Sequence, residues 1–376
     1  MFPNGKDISG CAISGIMSGD RTPIGGERVI RSIAVMHDRS NGLGGGFAAY
    51  GIYPEHGDQY AVHLMCDDGA AKKAAEDVIL ARSHLFHDEP IPTRPVRVIR
   101  HRPLLHRYFI RIKDEELATN YDMTEDDLVV SLVMEINSHV DGAFVFSSGK
   151  DMGVFKGVGY PEDIGEFFRL EEYKAHVWIA HGRFPTNTTG WWGGAHPFGL
   201  LDWAVVHNGE ISSYGINRRY LANFGYHCTL RTDTEVIAYL FDLLIRKHGL
   251  PIRAACTAMA PPFWSQIERM PAEERELARA LRVVYGGALL NGPFSVVVGH
   301  SKGMIALNDR IKLRPMAAAR EGEMLYVASE EAAIRAVCPA PDVLWHARGG
   351  VPIIGEFGKV RGLGPRPALA RMTAAS

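Results

Sequence analysis

HGRFPTNTTGWWGGAHPFGLLDWAVVHNGEISSYGINRRYL, residues 181–221, is the stretch on which the reading of this chain turns. It sets an arginine at a predicted strand end (Arg183), a Thr-Asn pair (Thr186, Asn187), two adjacent tryptophans, and then Asn208-Gly209-Glu210. RTDTEV follows downstream, with Asp233 at the start of a predicted helix. Far upstream, a short leader, MFPNGKDISG, runs into CAISGIM, an apolar alternation that reads as a strand behind Cys11. Each piece taken singly has a plain structural reading. Asn208-Gly209 is a common hairpin-turn dipeptide, Asp233 a helix cap, Arg183 half of an ion pair, and Cys11 a small buried hydrophobe.

The bulk properties narrow the classes. With 376 residues, 46% hydrophobic and 22% charged, the chain has ample material for a buried core in one large domain or two ordinary ones. A formal net charge of −2 gives no electrostatic reason to expect nucleic acid or an anionic membrane surface. The cysteines Cys11, Cys66, Cys228, Cys256 and Cys338 are odd in number, far apart and without a C-x-x-C pair, so neither a disulfide framework nor a thiolate metal site is indicated. No apolar run approaches the length of a membrane helix, and the leader lacks an apolar segment of the secretory kind, so the cytoplasm is the expected compartment.

Hydrophobic periodicity supplies the elements. GGFAAYGIYP, HVWIAHG, WAVVHNG, PFSVVVGH, GMIALND and MLYVASE read as strands, and 234–248 as a helix stopped by Gly249. From 60 to 147 the pattern changes character. YAVHLMC, RVIRH, HRYFIRI and GAFVFSS read as strands, and two helices lie among them, one carrying Ala71, Ala75, Val78 and Ile79 on a face, the other Val129, Leu132, Val133 and Ile136. The order β-α-β-β-α-β is that of a ferredoxin-like module, so 60–147 is read as an inserted α+β unit. The whole suggests a layered α+β fold rather than a doubly wound one.

Seven separated blocks together resemble one family. CAISGI at Cys11, HDRSNGLGGGFAAYG at His37, RFPTN at Arg183, WWGGAHPF at Trp191, HNGEI at His207, TDTEV at Thr232, and LRP then ASE near Leu313 and Ala328 are similar to class II glutamine amidotransferase domains of the N-terminal-nucleophile hydrolase type. They are most similar to those of glutamate synthases of the split, archaeal type. Ala12 stands where that family usually has glycine, and the stretch after Arg39 departs from its usual arginine-glycine form. The resemblance implies a four-layer α-β-β-α sandwich over 11–365, interrupted by the 60–147 module, preceded by a propeptide at 1–10 and followed by a loose tail at 366–376.

It also implies a chemistry. The nucleophile is Cys11, which must become the N-terminal residue because its own α-amine, of ordinary pKa about 7.7–8.0, serves as general base. Asn208 and Gly209 form the oxyanion hole. Arg183 holds the α-carboxylate of L-glutamine, Asp233 pairs with the α-ammonium, and Thr186 and Asn187 complete the substrate contacts. No cofactor or metal is expected in this chain; flavin and an iron–sulfur cluster would belong to a partner. The expected role is a glutaminase subunit feeding ammonia to a glutamate synthase-like chain. An N-methylglutamate synthase-type subunit, a stand-alone cysteine amidohydrolase and a non-catalytic regulatory subunit are the competing readings.

Overall fold

The structure is a computed structural model that describes residues 10–184 and 190–365. Its architecture is mixed α/β with several sheets, and two of them position the site. The first has seven antiparallel strands, ordered Val343–His346, Ala317–Glu321, Met324–Ala328, Ala12–Ser18, Val177–Gly182, Gly45–Tyr50 and Met152–Gly157. The second has five, ordered Phe198–Leu200, Trp203–Gly209, Phe294–His300, Gly303–Asn308 and Ile353–Glu356. The strand behind Cys11 is buried at all seven positions, which is why AISGIMS is apolar or small throughout.

The two faces of that strand meet different things, as the strand's two-residue period requires. A Cβ on Gly15 would lie 2.6 Å from Met304 Sδ and 3.0 Å from Val297 Cγ1, both on the five-stranded sheet. Tyr50 crosses the same interface and donates its hydroxyl to the Gly299 carbonyl at 2.7 Å. On the other face, Ser14 Oγ and Ser32 Oγ of the Gly26–Ala34 helix lie 2.7 Å apart. The Pro161–Phe167 helix packs beside that helix, with no room for a side chain at Gly165 against Ile30. The Asp233–Phe241 helix covers the far side of the five-stranded sheet, and Phe241 stacks on Trp203.

Within 60–147 the structure relocates one element. The strands are Tyr60–Cys66, Ser83–Pro90, Leu104–Ile112 and Ala143–Ser147, and the helices include Gly69–Arg82 and Glu125–His139. The sheet order runs 83–90, 104–112, 60–66, 143–147, antiparallel throughout. RVIRH, read above as a strand, lies in the loop between the second and third strands. Its alternation is real, with Val98 61% exposed and Ile99 buried, but Ile99 is anchoring a loop against the main core. The true second strand, SHLFHDEP, is an edge with a single buried residue, so it carries no apolar pattern to read. Thr124 caps the Glu125–His139 helix in a reciprocal capping box with Asp127.

The apolar side of this unit is not its own. Leu132, Val133 and Ile136 share one cluster with Val205, Phe241 and Leu244, and Asp127 pairs with Arg246 at 2.7 Å. The predicted helix over 234–248 is α-helical over Asp233–Phe241 and continues as a π-helical turn over Asp242–Lys247, with Gly249 at φ +68° ending it. Arg246 grips the buried Asp242 through both Nε and Nη2 across that turn.

Candidate active site

Cys11 immediately precedes its strand and is half-buried, whereas the other four cysteines are buried. The Phe184 N–H points at Cys11 Sγ at 3.4 Å, and Arg39 Nε donates to the Cys11 carbonyl at 3.2 Å. Arg39 is itself held by Glu330 at 2.9 Å. Burial pushes the Cys11 thiol up; the Phe184 N–H and the charges of Arg183 and Arg314 pull it down, Asp233 opposes them, and the net shift is upward. The thiol therefore stays protonated near neutrality and needs a base to become a nucleophile.

Asn208 and Gly209 end the Trp203–Gly209 strand of the five-stranded sheet. Asn208 is fully buried and donates Nδ2 to Ser329 Oγ at 3.3 Å. That hydroxyl also accepts the Ile13 N–H at 3.2 Å, and the Ser329 N–H returns a bond to the Ile13 carbonyl at 3.0 Å. Ser329 thus pins the Asn208 amide to the strand that follows Cys11. Gly209 sits at φ +140°, and a Cβ there would lie 1.9 Å from the Pro293 carbonyl oxygen, so only glycine fits.

Arg183 follows the Val177–Gly182 strand and Asp233 opens the Asp233–Phe241 helix. Arg183 is buried, and its charge acts on both Cys11 and Asp233; burial lowers its pKa. Thr232, not Asp233, caps the helix, which leaves the Asp233 carboxylate free to turn inward. Burial pushes that carboxyl up, but His207, the Ile211 N–H and the Thr234 hydroxyl outweigh it and hold it below the usual carboxylate range. The charges of an ionised carboxylate and a guanidinium therefore both act on one thiol. Thr186 and Asn187 lie outside the described residues.

Behind the pair lies a buried polar lattice that the sequence reading missed. The Thr234 hydroxyl donates to Asp233 Oδ1 at 3.3 Å, so His196 Nε2 at 2.6 Å and His207 Nδ1 at 3.2 Å must be its donors. His181 Nε2 reaches the His207 carbonyl at 3.0 Å, and its ring stacks on His196 at 4.1 Å. Burial drives His181 down to about 3 and His196 well below its ordinary value, so both are neutral. His207 and His196 lay in HNGEI and AHPF, but a histidine in a motif does not announce whether it reacts or braces. Arg39 and Ser329 likewise lay inside quoted blocks without a role.

The glycines of GLGGG explain how these parts come together. A Cβ on Gly44 would lie 3.0 Å from Arg183 Cδ and 3.5 Å from Ala195 Cβ; one on Gly46 would lie 2.3 Å from the His196 carbonyl and 2.7 Å from Lys156 Cβ. Three chain segments close on this backbone because it carries no side chains. Among the described residues no three His, Cys, Asp or Glu side chains are grouped to hold a metal, and no helix is long and apolar enough to cross a membrane.

Comparison with known proteins gives the chain's relatives. Residues 68–224 match the family model of glutamine amidotransferases class-II, a span that runs through most of the 60–147 unit and includes Arg183, Asn208 and Gly209. The chain is 50% identical over 355 residues to an uncharacterized protein of Archaeoglobus fulgidus, covering 94% of this chain and 93% of that one. It is 26% identical over 341 residues to a protein of Methanothermobacter thermautotrophicus provisionally named a glutamine amidotransferase, covering 89% and 95%. Over 202 residues it is 29% identical to the glutamine amidotransferase-like protein GlxB of Rhizobium meliloti, covering 53% and 56%.

Proposed function

We propose, from the match of residues 68–224 to the family model of glutamine amidotransferases class-II, that the chain is a glutaminase subunit, hydrolysing L-glutamine to glutamate and ammonia and passing the ammonia to a separate synthase-type partner. The observation that carries this reading is the convergence on Cys11 of opposite charges, Arg183 and Asp233, with the Asn208 amide pinned beside the same strand. A guanidinium and a carboxylate held together suit the two ends of a free amino acid.

In the proposed cycle, removal of residues 1–10 frees the Cys11 α-amine. Neutral amine takes the thiol proton as Sγ attacks the glutamine amide carbon. The oxyanion is received by Asn208 Nδ2–H and the Gly209 N–H, donors of a kind worth about 3 kcal/mol each in the transition state. The ammonium form of the amine returns the proton to the leaving nitrogen, ammonia departs, and water attacks the thioester to release glutamate and regenerate the thiol. Cys11 needs no catalytic histidine in this scheme, and the buried His181 and His196 are neutral braces.

The two facing sheets with helices outside them are, in this reading, the α-β-β-α sandwich of the N-terminal-nucleophile hydrolases, with 60–147 inserted. Thr186 and Asn187 are assigned to substrate, and a glutamate synthase-like chain carrying the flavin and iron–sulfur chemistry is the acceptor assembly. The test is intact-mass and N-terminal analysis of protein that releases ammonia from glutamine. Active protein beginning at Cys11, with a glutamine-like diazo-ketone labelling Cys11 alone among the five thiols, is the expected result. Full activity in protein retaining 1–10 would sink the mechanism.

A further inference from the structure

Lys156 is buried to 1% exposure, the only lysine so enclosed among the described residues. It lies on the Met152–Gly157 edge strand directly opposite Gly46, whose missing side chain admits it. Its Nζ donates to the Gly193 carbonyl at 3.0 Å and sits 4.2 Å from the centre of the Phe198 ring. No carboxylate lies within ion-pair distance of it among the described residues. The charged and titratable groups that face it are Arg183 from the Val177–Gly182 strand's end, Glu235 from the Asp233–Phe241 helix, and His196 from the segment after the 191–194 turn.

This is a poor place for an ammonium on grounds of stability. Burying a cation costs several kcal/mol unless counter-charge and hydrogen bonds replace water, and one carbonyl and one ring face do so only partly. Burial pushes the ammonium down, Glu235 draws it up, and the guanidinium of Arg183 pushes it down again, to about 7 in all. A methionine would fill the same channel without that cost. Arg183 is the cation whose charge acts on this ammonium, and in the glutaminase reading it is the group that holds the substrate's α-carboxylate.

The same ammonium has a mechanical hold on the site. It fixes the carbonyl of Gly193 in a turn where the Trp191 ring lies over Gly193 and Gly194, each with ring atoms 2.3 Å from where a Cβ would be. Two residues on, Ala195 packs with Arg183 against Gly44.

We propose that Lys156 is a positioning and specificity-determining residue of the glutamine site: its buried ammonium anchors the 191–194 turn through the Gly193 carbonyl and supplies a second positive charge to the field that selects the substrate's α-carboxylate. The inference rests on the glutaminase reading. It makes substrate affinity, not the chemical step, depend on the charge of Lys156, so KM for glutamine rises as pH climbs past about 7, where the proton leaves.

The experiment uses the full chain as purified and active, with Lys156→Met and Lys156→Gln beside it. KM and kcat for L-glutamine are followed from about pH 6 to about pH 9, with the rate of Cys11 alkylation by iodoacetamide, which has no α-carboxylate, measured in parallel. The expected result is a KM raised about tenfold at low pH in both variants, kcat within about threefold, and alkylation unchanged. The rise of KM with pH seen in the parent should be flat in the variants. A parent KM that does not vary with pH overturns the proposal without any variant, which matters if the variants fail to fold. Equal losses in KM, kcat and alkylation rate mark a merely structural lysine and overturn it too. Absence of ammonia release from glutamine by the parent overturns the glutaminase reading itself, and this inference with it.

Discussion

The corner around Cys11 and the 60–147 unit are built on opposite terms. At the corner, backbone and side chains close to van der Waals contact through Gly44, Gly46 and Gly209, and the polar groups are buried and bonded to one another. In the 60–147 unit the outer strand is exposed, and many charges meet solvent, as in the Lys73–Asp77 and Arg111–Asp58 pairs. Exposed pairs of that kind contribute at most about 1 kcal/mol each, while a buried polar lattice fails as a whole when one member is lost. Substitutions in the two regions should therefore differ in kind as well as in size.

The sharpest separation is at Cys11 and Asn208. Cys11→Ala should abolish ammonia release, since no other thiol is partly exposed. Asn208→Ala should lower kcat by about 10²–10³ with little change in KM, as loss of one oxyanion donor does. Steady-state kinetics at saturating and limiting glutamine check both. A large KM effect from Asn208→Ala with kcat intact would move that residue from the oxyanion to the substrate.

Asp233→Ala comes next and should act mainly on KM, by about one to two orders of magnitude, because its proposed partner does not change charge during reaction. Thr234→Val should mimic it more weakly, by removing the hydroxyl that bonds Asp233 Oδ1. If Thr234→Val were silent, the histidine lattice would have no bearing on substrate.

Two residues along the same helix, Glu235 tests the lattice through stability. Burial raises its carboxyl to about 7, against the N–H groups of Thr229 and Leu230 and the Tyr239 hydroxyl, which favour the charged form. A raised acid keeps its full contribution below the unfolded value near 4.5 and loses it as pH climbs toward 7. The chain should thus lose about 3 kcal/mol from this group between those limits. Denaturant midpoints across that window should show the slope in the parent and its absence in Glu235→Gln. Asp233, whose shift has the opposite sign, should show the opposite slope at more acidic pH.

How much of this was legible in the sequence divides along the same line. The strands buried on both faces were readable because continuous apolar runs have one explanation. The seven blocks pointed to Cys11, Arg183, Asn208 and Asp233, but they did not distinguish groups that react from groups that brace. His196, Ser329 and Lys156 act through contacts between segments far apart in sequence, and periodicity carries no record of those. SHLFHDEP was missed for the converse reason: an edge strand in solvent needs no apolar face.

The smallest expected effect lies in the loop that was misread as a strand. Arg100 and Arg102 are exposed, make no hydrogen bond or ion pair among the described residues, and border a groove of about 580 Å³ whose other wall includes Phe144, Trp191 and Trp192. We expect this basic, proline-punctuated segment to dock the proposed ammonia-accepting partner, since arginine and tryptophan are enriched where protein surfaces meet. Deleting 60–147 cannot test that, because its helices share a core with Phe241 and Leu244 and their loss would expose it. Arg100→Gln with Arg102→Gln removes the charge and leaves the core alone. Stability should move by no more than about 0.5 kcal/mol, and kcat/KM of the isolated chain by less than about twofold, while co-purification with the partner is lost. A tenfold fall in the isolated chain's activity would erase the distinction between the two regions, because the groove wall at Trp191 belongs to the turn that Lys156 holds.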